Sequence, residues 1–178
     1  MNSSINSSIL GPGAIFLIGF MGSGKTHWGR LWADQKGIAF FDLDKMIEEE
    51  EKKTIAGIFE TKGEVYFRKK ETEILKRFEK ETNYILACGG GAPCYYDNIK
   101  WMNDTGTTIY LSATPKYIYD RVLVEKDKRP LLKNLNPGEL FLFIEQKLKE
   151  REPIYKQAQI ILPVEELNTD SIRRIINY

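Results

Sequence analysis

The sequence predicts an α/β fold in which a five-stranded parallel sheet is flanked by helices on both faces. Three observations predict it. Short apolar runs alternate with longer segments of helical spacing. The first run, 14–18, leads straight into a glycine-rich loop and then a helix. Residues able to do chemistry follow directly on predicted strands, where ligands of open α/β sheets sit. A length of 178 residues suits one domain, and neither a repeat nor a low-complexity linker divides it.

Ala14-Ile15-Phe16-Leu17-Ile18 is apolar throughout, as a strand buried on both faces requires. Gly19-Phe20-Met21-Gly22-Ser23-Gly24-Lys25-Thr26 fits G-x-x-x-x-G-K-[ST], the phosphate-binding loop. Its glycines let successive N–H groups point at phosphate oxygens, and the following helix adds its positive end. In this motif Gly22, Ser23 and Gly24 cradle phosphates, Lys25 reaches the β- and γ-phosphates, and the Thr26 hydroxyl holds Mg²⁺. Trp28, Leu31, Trp32 and Lys36 keep helical spacing until Gly37 stops the helix. The expected ligands are therefore a nucleoside triphosphate and Mg²⁺.

A second strand is expected over 38–41, ending in Asp42-Leu43-Asp44. The acidic-basic run 48–53 reads as a solvated helix end without function. Thr54 caps a short helix, Gly63 breaks the chain, and a long helix follows over 64–80, with Phe67, Ile74, Leu75 and Phe78 on one face. The third strand, 84–88, runs into Gly89-Gly90-Gly91; a helix over 95–102 leads to the fourth strand, 107–111. Thr114 and Pro115 open the next helix as cap and first-turn proline. It carries Arg121 and runs into the charged loop at 125–130. A helix over 138–151, a fifth strand over 159–163 and a helix from Thr169 complete the chain, and residues 1–12 are expected to be a disordered tail.

Bulk properties narrow the function. A formal net charge of +1 does not suit a polybasic nucleic-acid binder. No apolar run reaches the ~20 residues of a membrane span. The start of the chain lacks a basic region followed by an apolar one, so no secretory signal is expected. Cys88 and Cys94 lack a metal-type cluster around them, which suits a reduced, cytoplasmic protein, and Cys88 reads as a small buried hydrophobe. His27, the only histidine, reads as a helix-surface residue, so neither a multi-histidine metal site nor a histidine pair is available. The expected partner is a small molecule, without nucleic acid or membrane, bound by a monomer.

Alternation along an extended strand end puts Asp42 and Asp44 on one side. Two carboxylates beside a triphosphate suit Mg²⁺ organisation and the handling of an acceptor hydroxyl proton. An Asx turn with a helix cap accounts for them equally well. Three consecutive glycines suit close approach of backbone to a small ligand, or a simple tight turn. Arg68, Arg129 and Arg151 are dispersed, and spacing alone does not gather them.

The ordered set of motifs resembles the shikimate kinase family over nearly the whole chain. The matching residues are the loop from Gly19 to Thr26, Asp42-Leu43-Asp44 and Gly63-Glu64-Val65-Tyr66-Phe67-Arg68. Gly89-Gly90-Gly91, Arg129-Pro130-Leu131-Leu132 and Arg151-Glu152-Pro153-Ile154-Tyr155 follow in the family's order. The resemblance implies a nucleoside-monophosphate-kinase-like fold with sheet order 2-3-1-4-5, a substrate-binding segment over 45–80 and a mobile lid over 125–137. It implies ATP-dependent phosphorylation of the 3-hydroxyl of shikimate. It also implies roles: Arg68 and Arg151 for the substrate carboxylate, Asp44 for the acceptor hydroxyl, and Gly90 and Gly91 for substrate contacts. Arg129 is implied as the lid arginine, Arg121 as the group stacked on adenine, and Asp42 as a metal contact through water. The segment 162–170, where the family forms its adenine loop, matches weakly.

Bidentate arginines suit a small polyol carboxylate better than lysines do. Glu71, one turn after Arg68, is placed to hold its guanidinium, and Phe59 and Phe67 are placed to form an apolar wall. A gluconate kinase leaves the aspartate pair and the two arginines less well explained. A guanine-specific switch would carry Asn-Lys-x-Asp, which is absent, and a silent binding module would have lost Lys25, Asp44 or Arg129, which are present.

Overall fold

The computed structural model describes residues 13–125, 132 and 135–171. Five parallel strands form one sheet in the order β2-β3-β1-β4-β5. They are β1 (Ala14–Ile18), β2 (Ala39–Asp42), β3 (Tyr84–Ala87), β4 (Gly106–Ser112) and β5 (Ile160–Pro163). The central strand β1 is buried along its whole length, which is why its sequence is apolar without alternation. Its residues nonetheless divide by parity. Phe16 and Ile18 join the core formed with α2, α3, α4 and α6, whereas Ile15 and Leu17 join the core around Trp32 and Ala33 of α1.

The helices are α1 (Lys25–Lys36), α2 (Leu43–Glu51), α3 (Ile55–Lys76), α4 (Asn98–Thr105), α5 (Pro115–Glu125) and α6 (Pro137–Tyr155). Helix α1 starts where Gly24 adopts φ 89°, a left-handed conformation that L side chains resist, and stops at Gly37. Gly63 interrupts α3 with φ 77° and ψ 170°, so the expected break is present. The second half ends at Lys76 and passes into a 3₁₀ turn, Arg77–Lys80, rather than remaining α-helical to residue 80. Thr54 caps α3 by accepting from the Gly57 N–H at 3.1 Å. The run 48–53 is a helix end, as expected, but it also clasps α3. Glu51 pairs with Lys62 at 2.5 Å, and Glu50 receives both terminal nitrogens of Arg77 at 2.6 and 3.0 Å.

Helix α4 begins at Asn98 instead of residue 95, because Tyr96 and Asp97 have positive φ and cannot continue a right-handed turn. Helix α6 starts on a capping box between Asn136 and Glu139 and continues past the expected end at 151 to Tyr155. Pro153 lies in its last turn, where the loss of one N–H does not stop the helix.

The strand order positions the site. β3 lies between β2 and β1, with Ala87 opposite both Asp42 and Leu17. The segments leaving these three strands are Asp42 to Asp44, the glycine run and the phosphate loop, and they emerge side by side. The expected tail over 1–12, Arg129 and most of the 125–137 segment, and the C-terminal helix beyond Ser171 fall outside the described residues. Among the described residues, no helix is long and apolar enough to cross a membrane.

Candidate active site

At the phosphate end, Lys25 bends back over its own loop and donates to the carbonyls of Gly19 at 2.9 Å and Phe20 at 2.8 Å. A triphosphate offers this ammonium stronger, charged acceptors. Thr26 Oγ1 donates to Asp42 Oδ2 at 2.7 Å, which brings together a hydroxyl and a carboxylate of the kind that hold Mg²⁺ and its waters. Asp42 Oδ1 also accepts from the Lys45 N–H at 3.3 Å, so the helix-cap reading holds along with the functional one. Ser23 is fully buried, and its hydroxyl has no partner among the described residues. A cradle with left-handed glycines, a lysine and an unpaired buried hydroxyl fits a bound phosphate chain. Arg121 reaches this end from α5. A β-carbon on Gly24 would lie 4.0 Å from Arg121 Nη1, and one on Gly22 would lie 3.9 Å from its Cβ. The guanidinium lies over the Tyr117 ring at 5.2 Å and donates to the Tyr117 hydroxyl.

At the other end, the glycine run is the surface on which the dispersed residues meet. A β-carbon on Gly91 would lie 2.5 Å from Arg68 Nη1 and Nη2. On Gly90 it would lie 3.5 Å from Arg151 Nη1 and 3.4 Å from the Met21 backbone nitrogen in the phosphate loop. On Gly89 it would meet Asp44 Oδ1 at 2.6 Å and Glu71 Oε1 at 2.7 Å. Any side chain here would occupy the space that these groups fill. Asp42 and Asp44 do lie close together, but strand alternation is not the reason. The strand ends at Asp42, and Asp44 stands in the first turn of α2.

Arg68 is nearly fully buried and is held on every side. Its Nη1 donates to Glu71 Oε2 at 2.8 Å and its Nε to Glu64 Oε1 at 3.2 Å. The guanidinium also lies 4.5 Å from the Tyr95 ring centre and 5.0 Å from that of Phe67. The Phe59 and Phe67 rings pack 4.6 Å apart as the expected apolar wall. Arg151 lies over Phe20 at 5.7 Å, and with Arg68 it acts electrostatically on both Glu64 and Glu71. Two guanidiniums thus lie against adjacent glycines, Arg151 at Gly90 and Arg68 at Gly91.

Burial pushes the Asp44 carboxyl above the usual carboxylate range; Asp42 adds to this, while Lys25 and Arg68 oppose it. Burial likewise pushes Glu71 up to about 7 against the pull of Arg68. Burial works against the Arg68 charge, but Glu71, Tyr95 and Glu64 outweigh it, so the guanidinium stays charged. Cys88 is buried and its thiol is pushed up by burial, as expected of a small hydrophobe, and His27 is exposed on α1.

Gly22, Ser23, Gly24, Lys25, Thr26, Asp42 and Arg121 therefore form one end of the site. Asp44, Arg68, Gly90, Gly91 and Arg151 form the other, and Arg129 lies outside the described residues. The sequence analysis gives no role to Glu64, Tyr95, Tyr117 or the hydroxyl of Tyr155, which donates to the Gly90 carbonyl. A signal existed for three of these. Glu64, Tyr117 and Tyr155 each stand four residues from a site arginine on the same helix, the spacing of facing side chains.

A family model described as shikimate kinase matches residues 21–178. The chain is 42% identical to the shikimate kinase of Bacteroides thetaiotaomicron over 153 residues, which are 86% of this chain and 87% of that protein. A crystal structure of shikimate kinase from Bacteroides thetaiotaomicron superposes with a TM-score of 0.89 at 37% identity, covering 93% of this chain and 99% of that one. The Acinetobacter baumannii shikimate kinase in complex with shikimate superposes with a TM-score of 0.80 at 33% identity, covering 92% of this chain and 90% of that one.

Proposed function

This chain belongs to the shikimate kinase family, and we propose that it transfers the γ-phosphoryl group of ATP to the 3-hydroxyl of shikimate. The products are shikimate 3-phosphate and ADP, a step toward chorismate and the aromatic amino acids. One observation carries the reading. Gly90 stands between the phosphate loop and Arg151, 3.4 Å from the first and 3.5 Å from the second as measured from its β-carbon position. The phosphate loop and a carboxylate-binding arginine thereby meet at one residue, which supports direct transfer between two small molecules bound side by side.

The residues divide the work accordingly. Lys25 leaves the Gly19 and Phe20 carbonyls for the β- and γ-phosphates. Thr26 and Asp42 would hold Mg²⁺, Asp42 through water, and the ion would supply positive charge against the phosphates. Arg68 and Arg151 grip the shikimate carboxylate with planar, paired donors. Asp44 orients the acceptor hydroxyl and takes its proton as the new P–O bond forms, and its raised proton affinity suits that task. Gly90 and Gly91 admit the ring close to the backbone, against the wall of Phe59 and Phe67. Arg121, beside Gly24, faces the adenine end. The family pattern gives Arg129 to the phosphates, on a lid over 125–137 that closes on ATP. The enzyme acts as a monomer in the cytoplasm.

ADP release coupled to a reporter, with shikimate, gluconate and nucleoside monophosphates compared side by side, tests the reading. Shikimate alone should stimulate strongly. Comparable turnover with gluconate would overturn it.

A further inference from the structure

We propose that Tyr155 is a positioning residue of the acceptor site, holding the Gly90–Gly91 peptide in the orientation that substrate binding requires. This rests on the reading of Gly90 and Gly91 as shikimate contacts. Within the glycine run the carbonyls are held differently. Gly89 accepts from the Ala92 N–H at 3.0 Å and Gly91 from the Cys94 N–H at 2.9 Å, both inside the local turn. The Gly90 carbonyl accepts instead from the hydroxyl of Tyr155, sixty-five residues away on α6.

A peptide unit is planar, and no described peptide is cis. The Gly90 C=O and the Gly91 N–H belong to one such unit and point in opposite directions. Fixing the carbonyl on Tyr155 therefore aims the Gly91 N–H away from α6. Without that hold, two adjacent glycines have the freest backbone available to a protein chain, and the N–H would sample many directions.

The hold itself is rigid. Tyr155 is completely buried, and its ring packs 5.1 Å from that of Tyr110, a residue of β4 paired with Ile18 of β1. The phenol is thus referenced to the centre of the sheet. Arg151, one turn earlier on α6, interacts with the same phenol and lies beside Gly90. One face of α6 therefore supplies both a substrate-facing guanidinium and the hydroxyl that aims the neighbouring backbone donor. Burial keeps the phenol protonated, as a donor must be.

Tyr155→Phe keeps the ring and removes only the hydroxyl. It should raise the KM for shikimate roughly 5- to 30-fold, the range for an orphaned buried carbonyl and a misdirected donor, and leave the KM for ATP unchanged. The Gly91 amide resonance should shift, and its hydrogen exchange should quicken, in the protein without substrate. Tyr110→Phe removes a hydroxyl from the same ring stack without touching Gly90, and should leave all four readouts at wild-type values. If Tyr155→Phe folds poorly, 3-fluorotyrosine at position 155 keeps shape and donor, and it should retain the wild-type KM and amide signal. An unchanged Gly91 amide, a joint rise of both KM values, or an equal effect from Tyr110→Phe overturns the proposal. The amide measurement needs no substrate. A wild-type enzyme inactive on shikimate would therefore sink the functional reading and leave this one to be judged by itself.

Discussion

Arg68 donates from Nη1 to Glu71 Oε2 at 2.8 Å, while the other oxygen of Glu71, fully buried, has no partner among the described residues. That second oxygen faces Gly89, on the side where Asp44 also approaches. Glu71 therefore orients the substrate arginine at the cost of a poorly solvated carboxylate, and its pKa near 7 reflects this.

A pH dependence of stability follows. Glu71 titrates at about 7 when folded and near 4.5 when exposed, so between these values the folded state binds more protons. Stability then falls as pH rises through this window, by up to about 3 kcal/mol. Below pH 4.5 the favourable contribution is complete, and it is lost as pH passes 7. Glu71→Gln should flatten this slope. Denaturant melts of both proteins between pH 4.5 and 7.5 measure it, and parallel slopes would contradict the prediction.

Gly91→Ala should mimic damage to Arg68. The backbone of Gly91 is right-handed, with φ −93°, so alanine is tolerated there. The added methyl meets the Arg68 guanidinium at 2.5 Å, and the flexible side chain must yield. Affinity for shikimate should drop tenfold or more, on the order of 1.5–3 kcal/mol for a charge-assisted contact, with ATP affinity retained. Arg68→Ala should show the same pattern, and Arg68→Lys should recover only part, for want of the paired fork. Calorimetry with each ligand separates the cases; equal losses for both would point to a structural role.

Lys25→Ala should abolish turnover and leave the melting temperature close to wild type. It donates to loop carbonyls at the edge of the site, and its proposed task is to compensate phosphate charge. Near-native kcat would remove Lys25 from the mechanism.

The two aspartates should fail differently. Asp44→Asn keeps size but loses the charge and the proton acceptor, and should lower kcat roughly 10²-fold or more. Asp42→Asn keeps the helix cap but weakens the pairing with Thr26, so its deficit should grow at low Mg²⁺ and shrink at high Mg²⁺. Magnesium titrations of both variants decide the division. It is wrong if the Asp44 deficit is the one magnesium repairs.

Some of this site is legible along the chain and some is not. The phosphate loop is eight consecutive residues between a strand and a helix, so its chemistry needs no tertiary structure to be seen. Glu71 beside Arg68 follows from helical spacing. Of the two geometries the aspartate pair allows, the helix cap holds: helix initiation at Asp42, rather than continued strand, sets their relation. The positive φ of Tyr96 and Asp97 delayed α4 without a glycine or proline to announce it.

The alternation of strands and helices, the apolar centre at β1 and the phosphate cradle are legible along the chain, because each depends on neighbours within a few turns. Tertiary structure alone decided which remote residues share a pocket. Placing β3 between β2 and β1 puts Gly89, Gly90 and Gly91 between the aspartates and the phosphate loop. The packing of α3 and α6 against the same sheet face then brings Arg68, Arg151 and Tyr155 onto those glycines. No local spacing encodes that meeting, since it arises from burying separate apolar faces in one core.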